Sequence, residues 1–483
     1  MINLINAIKM DERTTTVNGD LAYISTGTPL LDYVGLIGGM RNSSDSQILN
    51  LWEKAFRENK TVAMQLLFYT RDVPNRGGGG LGERRIFYVI MKHLILNHKD
   101  LVYKVARFIP EYGYWKDIKN LAKMCYEMNE LEIAQDFISF QAYMLFTNPD
   151  QLVAKYSVDE NEKDSAFKEF ALNHICNTFN ITRRFYRKNL VSVRKGVVER
   201  LMSDKAWSKI NYSQVPSKAA KNYRKAFVKH DGLRYNHFIA EALTGETKIN
   251  SGTLNPVELI MTLHRGNNNT IEAQWRQLPN YVDENINAIV MADVSGSMNG
   301  TPIKVCISLA IYFAERNKGH FANHFLTFSS KSKLVALSGK TLFEKYYNLN
   351  KTEWGMSTNI DSAFETILNA AVRHNVPVHE MPSVILIITD GQFNSQVQGG
   401  TAFERIEQKY RNAGYELPHI VFWNVNVLKP TLPALSSRFV TLVSGYSSSV
   451  LTSVFNKIKN VNQNVIDAIL ATGRYDQIAE ALS

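Results

Sequence analysis

The sequence predicts an α + α/β protein, with a helical array of the HEAT or armadillo kind, then a doubly wound parallel sheet and a helical tail. Apolar residues recur at helical spacing along residues 50–231. Farther along the chain, short apolar runs alternate with helical stretches. We therefore predict a helical domain at 1–284, a sheet domain at 285–446 and a tail at 447–483.

The helical array is predicted from successive amphipathic segments with short breaks between them. Segments at 86–96, 101–109, 115–124 and 131–146 repeat apolar residues at intervals of three or four. No β-rich run interrupts them, so we expect neighbouring helices to pack antiparallel as a stacked array. Whether the array closes into a ring is left open. No fixed sequence period is present, so any repeat is structural.

The sheet domain is predicted from apolar strands that alternate with helices. The predicted strands lie at 288–292, 325–328, 384–388, 420–423 and 439–443, and the helices between them at 302–317, 359–373 and 402–412. Continuous apolar strands separated by helices indicate a parallel sheet covered on both faces. Ligands of such sheets bind beyond the carboxyl ends of the strands.

Composition narrows the class of protein. Of the 483 residues, 45% are hydrophobic and 21% charged, which is ordinary for a globular protein. We expect neither a secretory signal nor a membrane span, because no basic start leads into an apolar stretch and no long apolar run occurs. Cys125, Cys176 and Cys306 lack pair spacing, which argues against disulfides and zinc ribbons. These features predict a reducing, cytoplasmic location and no membrane partner.

Positive charge is concentrated in residues 181–235. This segment holds fifteen Lys or Arg against three Asp or Glu, a balance of +12 in a chain of net charge +10. Basic residues interleaved with aromatic residues are typical of single-stranded nucleic-acid binding. The alternative is a set of amphipathic helices with solvated basic faces, and we favour nucleic acid for the charge but a core role for the aromatic residues. The predicted RNA-contacting residues are Arg183, Arg184, Arg187, Lys188, Arg194, Lys195, Lys218, Lys221, Arg224 and Lys225.

A glycine-rich loop at 75–85 interrupts the helical array. Its four consecutive glycines precede a helix, and free backbone N–H groups at such a position can bind a phosphate. The Lys-Ser/Thr pair of a P-loop is absent, so we do not expect nucleotide hydrolysis. We favour a simple turn, and the alternative is an anion-binding surface that includes Arg76, Arg84 and Arg85.

Polar turns follow two of the predicted strands. One is Asp293-Val294-Ser295-Gly296-Ser297, the other is Thr389-Asp390-Gly391, and the loop at 354–359 adds further hydroxyl groups. The carboxyl ends of parallel strands meet at one edge of the sheet, and carboxylate and hydroxyl oxygens suit Mg²⁺. The alternative is a filled site that only stabilises its loops. The predicted site for Mg²⁺, or another divalent cation, consists of Asp293, Ser295, Ser297, Thr358 and Asp390.

These three motifs, in this order, resemble the metal-ion-dependent adhesion site of von Willebrand factor A (vWA) domains. The resemblance implies that Ser295 and Ser297 bind Mg²⁺ directly and that Thr358 joins them when an acidic ligand is engaged. It also implies that Asp293 and Asp390 act through water or support the direct ligands. A cation with few charged protein ligands can accept a carboxylate or phosphate oxygen from a partner.

The sequence does not determine which hydroxyl group of the loop at 354–359 would bind the cation. Spacing alone does not distinguish Ser357 from Thr358. Met356 stands where the Gly-Gly-Thr form of the motif has a small residue, so the chain departs from the family pattern beside the predicted ligand.

No constellation in the sequence predicts catalysis. His320 and His324 lack the glutamate of H-E-x-x-H, and the Ser295 turn lacks a G-x-S-x-G elbow. Asp293 and Asp390 are not accompanied by a His or Lys motif that supplies a base or nucleophile. We therefore expect a binding protein rather than an enzyme.

A second resemblance covers roughly residues 40–470. Its motifs include Phe68-Tyr69-Thr70-Arg71-Asp72, Ile109-Pro110-Glu111-Tyr112-Gly113-Tyr114-Trp115-Lys116-Asp117 and Trp207-Ser208-Lys209-Ile210-Asn211-Tyr212. With the basic helices and the vWA pattern, they resemble TROVE/Ro-type RNA-binding proteins, in particular relatives in plants, bacteria and viruses carried as a domain of unknown function. The resemblance implies a ring of helical repeats with RNA-binding surfaces, closed by the vWA domain, in which residues 181–235 face RNA.

The functional expectation is a non-enzymatic RNA-binding protein whose helical domain holds RNA. Its vWA domain would bind Mg²⁺ and an acidic protein partner. The alternative is a Mg²⁺-dependent protein-interaction or assembly module, including a viral structural protein, without RNA binding. The sequence does not determine the RNA class, the partner or the oligomeric state.

Overall fold

The structure is a computed structural model that describes residues 12–73, 79–263, 268–318, 320–327, 332–351, 360–393, 402–435, 439–460 and 462–483. A helix-rich N-terminal region is followed by a mostly parallel six-stranded sheet with flanking helices. The predicted α + α/β class is confirmed. Among the helices in these ranges, none has both the length and the hydropathy required to cross a bilayer.

Six of the strands form one sheet. The strands are β1 (Arg13–Thr15), β2 (Leu21–Tyr23), β3 (Ala288–Ala292), β4 (His324–Thr327), β5 (Leu334–Ala336), β6 (Val384–Thr389), β7 (His419–Asn424) and β8 (Val440–Ser444). β1 and β2 pair as a separate antiparallel hairpin. The sheet has the order β5-β4-β3-β6-β7-β8, and every neighbouring pair is parallel except β4 with β5. Ala288 lies opposite Val384, so β3 and β6 end side by side.

Burial explains why the sheet strands were predictable. Every residue of β3, β6, β7 and β8 is buried, which requires apolar side chains on both faces. The predicted strands agree with the observed ones to within one or two residues. β1, β2 and β5 were not predicted, because each has only three residues and therefore carries no clear apolar pattern.

The α-helices match most of the predicted segments to within three residues, but the segment predicted at 101–109 is divided between two of them. In the N-terminal half they are Pro29–Leu36, Asp45–Glu58, Lys60–Arg71, Arg84–Asn97, Lys99–Val105, Ile109–Tyr112, Trp115–Glu127, Leu131–Thr147, Gln151–Tyr156, Ser165–Thr178, Arg183–Val193, Val198–Ser203 and Ser217–Thr244. In the C-terminal half they are Pro256–Ile260, Asn269–Arg276, Thr301–Arg316, Leu342–Lys351, Ile360–His374, Ala402–Asn412, Val450–Lys459, Val465–Leu470 and Asp476–Leu482. Side-chain caps fix several starts: Asp164 accepts from Phe167 N at 3.1 Å, and Thr182 accepts from Phe185 N at 3.2 Å.

The chain divides into two compact units. The sheet unit comprises the residues up to Ile86 together with Ser251–Asp476. The helical unit comprises Phe87–Asn250 and Gln477–Ser483. The sheet unit therefore includes the first helices of the chain. The domain boundaries at residues 284 and 446 stay predictions.

Within the sheet unit, the helix Pro29–Leu36 packs against the last strand. Gly38 N donates to Ser444 Oγ at 2.9 Å, and Ser444 Oγ donates to Val34 O at 2.7 Å. A Cβ on Gly38 would lie 2.6 Å from the backbone of Gly445, so only glycine permits this approach. The N-terminal segment is thus part of the same core as the sheet.

A buried carboxylate ties the end of the helix Lys60–Arg71 to the C-terminal part of the sheet unit. Asp72 is fully buried and accepts a hydrogen bond from the Tyr475 hydroxyl at 3.0 Å. Its other oxygen pairs with Arg474 at 3.3 Å. A buried carboxylate is tolerated only with such partners, so these contacts fix where the tail packs.

A second buried ion-pair network surrounds Arg405, on the helix Ala402–Asn412. Its guanidinium donates to both carboxylate oxygens of Asp20, each at 3.1 Å. It also donates to Asp361 at 3.0 and 3.1 Å. The side chains of Asp20, Asp361 and Arg405 are 3%, 7% and 11% exposed. One arginine therefore holds together three segments that are far apart in sequence.

Replacing Arg405 by alanine is expected to lower the free energy of unfolding by about 3–5 kcal/mol, because Asp20 stays buried without its cation. Asp361 keeps its ion pair with Lys409 at 3.2 Å. Urea denaturation measures the change. The matched control is Arg411→Ala on the same helix, whose pair with Glu407 is exposed. The control should cost no more than about 0.5 kcal/mol. Equal losses in the two variants would contradict a structural role for the buried network.

Candidate metal site and basic surface

Strand β3 leads into Asp293, whose side chain is fully buried. Ser295 N donates to Asp293 Oδ1 at 3.0 Å, and the Thr389 hydroxyl donates to Asp293 Oδ2 at 2.7 Å. Both carboxylate oxygens therefore have a donor from the protein. Asp293 is held rigidly and links the turn after β3 to the end of β6.

Asp390 follows β6 and is also fully buried. Gln392 N donates to Asp390 Oδ1 at 3.1 Å, whereas Asp390 Oδ2 has no hydrogen-bond partner among the described residues. Beside it, Ser295 Oγ and Ser297 Oγ lie 3.1 Å apart. A buried carboxylate oxygen without a donor costs free energy, so this point of the fold favours an additional positive group.

The two carboxylates share a site of low polarity. Burial, followed by the negative charge of Asp293, raises the pKa of Asp390 to about 6. The Ser297 hydroxyl is close enough to offset part of that rise. Burial also raises the pKa of Asp293. Like charges that stay buried together in this way are poorly compensated by the surrounding protein.

The donor set fits a hard divalent cation. It offers carboxylate and hydroxyl oxygens, which are the ligands that Mg²⁺ prefers. Across the part of the chain that the structure describes, no group of three or more His, Cys, Asp or Glu is placed to hold a metal. A cation at Asp390 would therefore depend on the Ser295 and Ser297 hydroxyls and on water, in addition to the carboxylates.

The predicted third loop lies outside the described residues, and with it Thr358 and the alternative ligand Ser357. The helix Ile360–His374 begins directly after that loop. The structure therefore brings together Asp293, Ser295, Ser297 and Asp390, and the role of Thr358 stays a prediction.

Two residues of this cluster were not predicted as site residues. Thr389 bridges the two strand ends through its bond to Asp293, and its own oxygen accepts from Gly391 N at 3.0 Å. It belongs to the T-D-G motif, so the sequence carried a signal for it. Gln392 contacts Asp390 through its backbone N–H, which no side-chain pattern indicates.

Some of the predicted RNA-contacting residues form bonds within the helical unit. Arg183 pairs with Glu169 at 2.6 Å, and Arg194 pairs with Asp159 at 2.5 Å. Arg224 is half-buried, and burial lowers the pKa of its guanidinium. Arg183 and Arg194 therefore use part of their donors within the helical unit, which leaves fewer of them for a ligand.

Other members of the predicted set face solvent. Arg184, Arg187 and Lys188 lie on the helix Arg183–Val193, are exposed, and form no ion pair with another described residue. Lys218 is exposed and Lys221 is half-buried. Lys195 and Lys225 are exposed as well. Of the predicted residues that face solvent, three therefore lie together on the helix Arg183–Val193.

Most aromatic residues of the basic segment belong to the core, as the sequence favoured. Tyr186, Tyr212, Phe227 and Tyr235 are buried. Trp207 and Tyr223 are half-buried. Phe185 has 51% of its surface exposed, beside the charges on the same helix.

The described part of the glycine-rich loop uses its backbone N–H groups within the fold. Leu81 N donates to Tyr69 O at 3.0 Å, and Glu83 N donates to Thr70 O at 2.8 Å. Arg85 pairs with Asp45. These bonds support the turn interpretation. Arg84 is exposed, and Arg76 lies outside the described residues.

Two family models of unknown function together match residues 16–477 of this chain. A family model described as "Domain of unknown function (DUF2828)" matches residues 16–165 and 151–287, together more than half of the chain. A second, described as "Domain of unknown function (DUF7788)", matches residues 287–477. "Uncharacterized protein L728" of Acanthamoeba polyphaga mimivirus is 28% identical over 489 residues, which cover 91% of this chain and 84% of that protein.

A solved structure is also similar over most of the chain. It is the crystal structure of the Deinococcus radiodurans Ro (RSR) protein, with 10% identity and a TM-score of 0.38. The match covers 93% of this chain and all of that chain (100%). Similarity at this level does not assign a shared fold, so the resemblance to Ro-type proteins stays a prediction.

In EDTA, Asp390→Asn is expected to stabilise the protein by about 2–3 kcal/mol at pH 8. The pKa of Asp390 is about 6 in the folded state, against an ordinary 3.8. A raised carboxyl pKa costs stability above the folded pKa, and the cost disappears as the pH falls toward the unfolded value. The gain should therefore shrink between pH 7 and pH 4, as urea denaturation at several pH values would measure.

The matched control for this substitution is Asp283→Asn. Its pairing with Lys459 lowers the pKa of Asp283, so loss of the charge should reduce stability slightly instead of raising it. A pH-independent effect of Asp390→Asn would show that its carboxylate is not under strain in the cation-free protein.

Proposed function

The chain belongs to the family described as "Domain of unknown function (DUF2828)", and we propose that its helical unit binds RNA. The observation that carries the proposal is the exposed basic surface on the helix Arg183–Val193. The second part of the proposal is that the vWA-like sheet binds Mg²⁺ or another divalent cation. The proposed function is binding rather than catalysis.

The basic surface consists of Arg184, Arg187 and Lys188. Positions three and four apart in a helix lie on the same face, so these charges project together. Because no described acidic residue neutralises them, they are available to phosphate groups. Their segment carries fifteen of the chain's Lys and Arg residues against three Asp or Glu. Such a local excess attracts a polyanion at long range.

An aromatic side chain at this surface favours a nucleic acid over a simple acidic polypeptide. Phe185 is half exposed beside the basic residues. An exposed ring can stack on an unpaired base while the neighbouring cations contact the phosphate backbone. We therefore propose single-stranded segments of RNA as the ligand.

Changing Arg184, Arg187 and Lys188 together to alanine is expected to weaken RNA binding about tenfold and to lower the slope of log K against log salt by about 2. Fluorescence anisotropy with a labelled single-stranded RNA of mixed sequence, repeated over a series of KCl concentrations, measures both effects.

The matched control changes Lys54, Arg57 and Lys60 to alanine. These residues are exposed on the sheet unit, and their substitution removes the same formal charge as the substitution of the helical surface. If both triple variants bind RNA equally well, the helical surface is not the binding site. No binding by the wild type at low salt would reject RNA as the ligand.

The cation is proposed from the residues at the carboxyl edge of the sheet. Ser295 and Ser297 would supply hydroxyl ligands, and Asp390 would compensate the charge of the ion through its oxygen without a donor. Asp293 would hold the Ser295 turn in place. A bound divalent cation provides an electrophilic position that an anionic partner group can occupy.

Addition of MgCl₂ to protein treated with EDTA is expected to raise Tm, because a ligand that binds only the folded state stabilises it. At a concentration of about 100 times Kd the gain is about 2.7 kcal/mol. Ser297→Ala should reduce this rise, as differential scanning fluorimetry would measure. Ser208→Ala, at an exposed serine of the helical unit, is the control and should keep the full rise. An unchanged Tm of the wild type would argue against the cation.

The second candidate function is cation-dependent capture of an acidic side chain from a protein partner. Asp390 Oδ2, which has no hydrogen-bond partner within the described ranges, and the adjacent serine hydroxyls favour it, since a cation there would have few protein ligands. EDTA or Asp293→Ala should abolish capture of such a partner, whereas RNA binding by the helical unit should persist.

A further inference from the structure

The β1–β2 hairpin contacts the loop that follows β6. Its turn contains Gly19, which has φ of 90°. The Thr16 hydroxyl donates to Phe393 O at 2.7 Å, and Asn18 Nδ2 donates to Gln392 O at 2.6 Å. Val17 N donates to the side-chain oxygen of Gln392 at 2.7 Å. The tip of the hairpin therefore holds both the backbone and the side chain of one residue in that loop.

Gln392 transmits this contact to the candidate cation site. It is fully buried, and its side-chain amide donates to Asp390 O at 3.1 Å. Its backbone N–H donates to Asp390 Oδ1, also at 3.1 Å. Two consecutive hydrogen bonds thus join Val17 to the Asp390 carboxylate. Val17 and Asp390, which these two hydrogen bonds connect through Gln392, are more than 370 positions apart in sequence.

The end of the hairpin turn that leads into β2 is anchored separately. Asp20 N donates to the Thr16 hydroxyl at 3.0 Å, and the Asp20 carboxylate accepts from Arg405. Arg405 also binds Asp361 in the first turn of the helix Ile360–His374. Because the anchor is a buried ion-pair network, the hairpin tip is held in a fixed position relative to the loop after β6.

We propose that the β1–β2 hairpin is a strap that fixes the Asp390 turn, and that Gln392 is a positioning residue for the bound cation. The inference rests on the proposed cation binding. Gln392 and Asn18 do not contact the ion. They hold the Asp390 carboxylate in one orientation, so that the ion does not have to order it on binding.

The expected effect follows from preorganisation. A turn that is free to move must be ordered when the cation binds, and the cost of that ordering reduces affinity. Loss of one neutral hydrogen bond costs about 1 kcal/mol of binding free energy, which corresponds to an increase in Kd of about fivefold. Loss of the Gln392 side chain removes bonds on both sides of it, so the effect should be larger.

The test is titration of the full-length protein with Mn²⁺, with the free ion counted by electron paramagnetic resonance. Asn18→Ala is expected to raise Kd about fivefold and Gln392→Ala more than tenfold. Val17→Ala is the matched control, because it removes an exposed side chain and keeps the backbone N–H that bonds to Gln392. Its Kd should equal that of the wild type.

The unfolding temperature in EDTA is recorded for each variant, so that a loss of folding is separated from a loss of affinity. Since Asn18 is exposed, its variant should fold normally and give the decisive result even if Gln392→Ala is unstable. If the wild type binds Mn²⁺ and the folded Asn18→Ala variant binds it equally tightly, the proposed role of the hairpin is rejected, whereas the proposed cation site is retained. If the wild type does not bind Mn²⁺, both proposals are overturned.

Discussion

The sheet unit is built around one unfavourable contact, the burial of Asp293 and Asp390 at neighbouring strand ends. The parallel register of β3 with β6 brings them together. Most of the local hydrogen bonding serves to hold this pair: Thr389 and Ser295 donate to Asp293, and Gln392 donates to Asp390. The protein supplies no cation of its own to them among the described residues. The fold therefore maintains a negatively charged, water-poor position, a condition under which a bound ion interacts strongly.

Long-range ion pairs make this arrangement possible. Arg405 joins Asp20 from the N-terminal hairpin to Asp361, and Asp72 is held by Arg474 and Tyr475 near the other end of the chain. Buried pairs of this kind add less net stability than their Coulomb energy suggests, because desolvation opposes it. Their effect here is positional, since they fix segments that share no strand pairing with the site they surround.

The helical unit uses its positive charge in two ways. Arg183 and Arg194 form ion pairs with Glu169 and Asp159, whereas Arg184, Arg187 and Lys188 remain exposed on the same segment. A count of charges does not distinguish the two groups, because each side chain has the same formal charge. The two groups differ in the distance from each basic side chain to an acidic one, and this distance is set only when the helices pack.

The sequence alone determined the α + α/β class and the strands that carry the Asp293 and Asp390 turns. These features are local: continuous apolar runs specify buried strands, and strand ends in a parallel sheet meet at one edge. Tertiary structure decided which basic residues are exposed, that Gln392 adjoins Asp390, and that the hairpin before residue 24 packs beside a turn near residue 390. Those outcomes depend on contacts between distant segments and on backbone donors, which are the same in every residue except proline and therefore leave no pattern in the sequence.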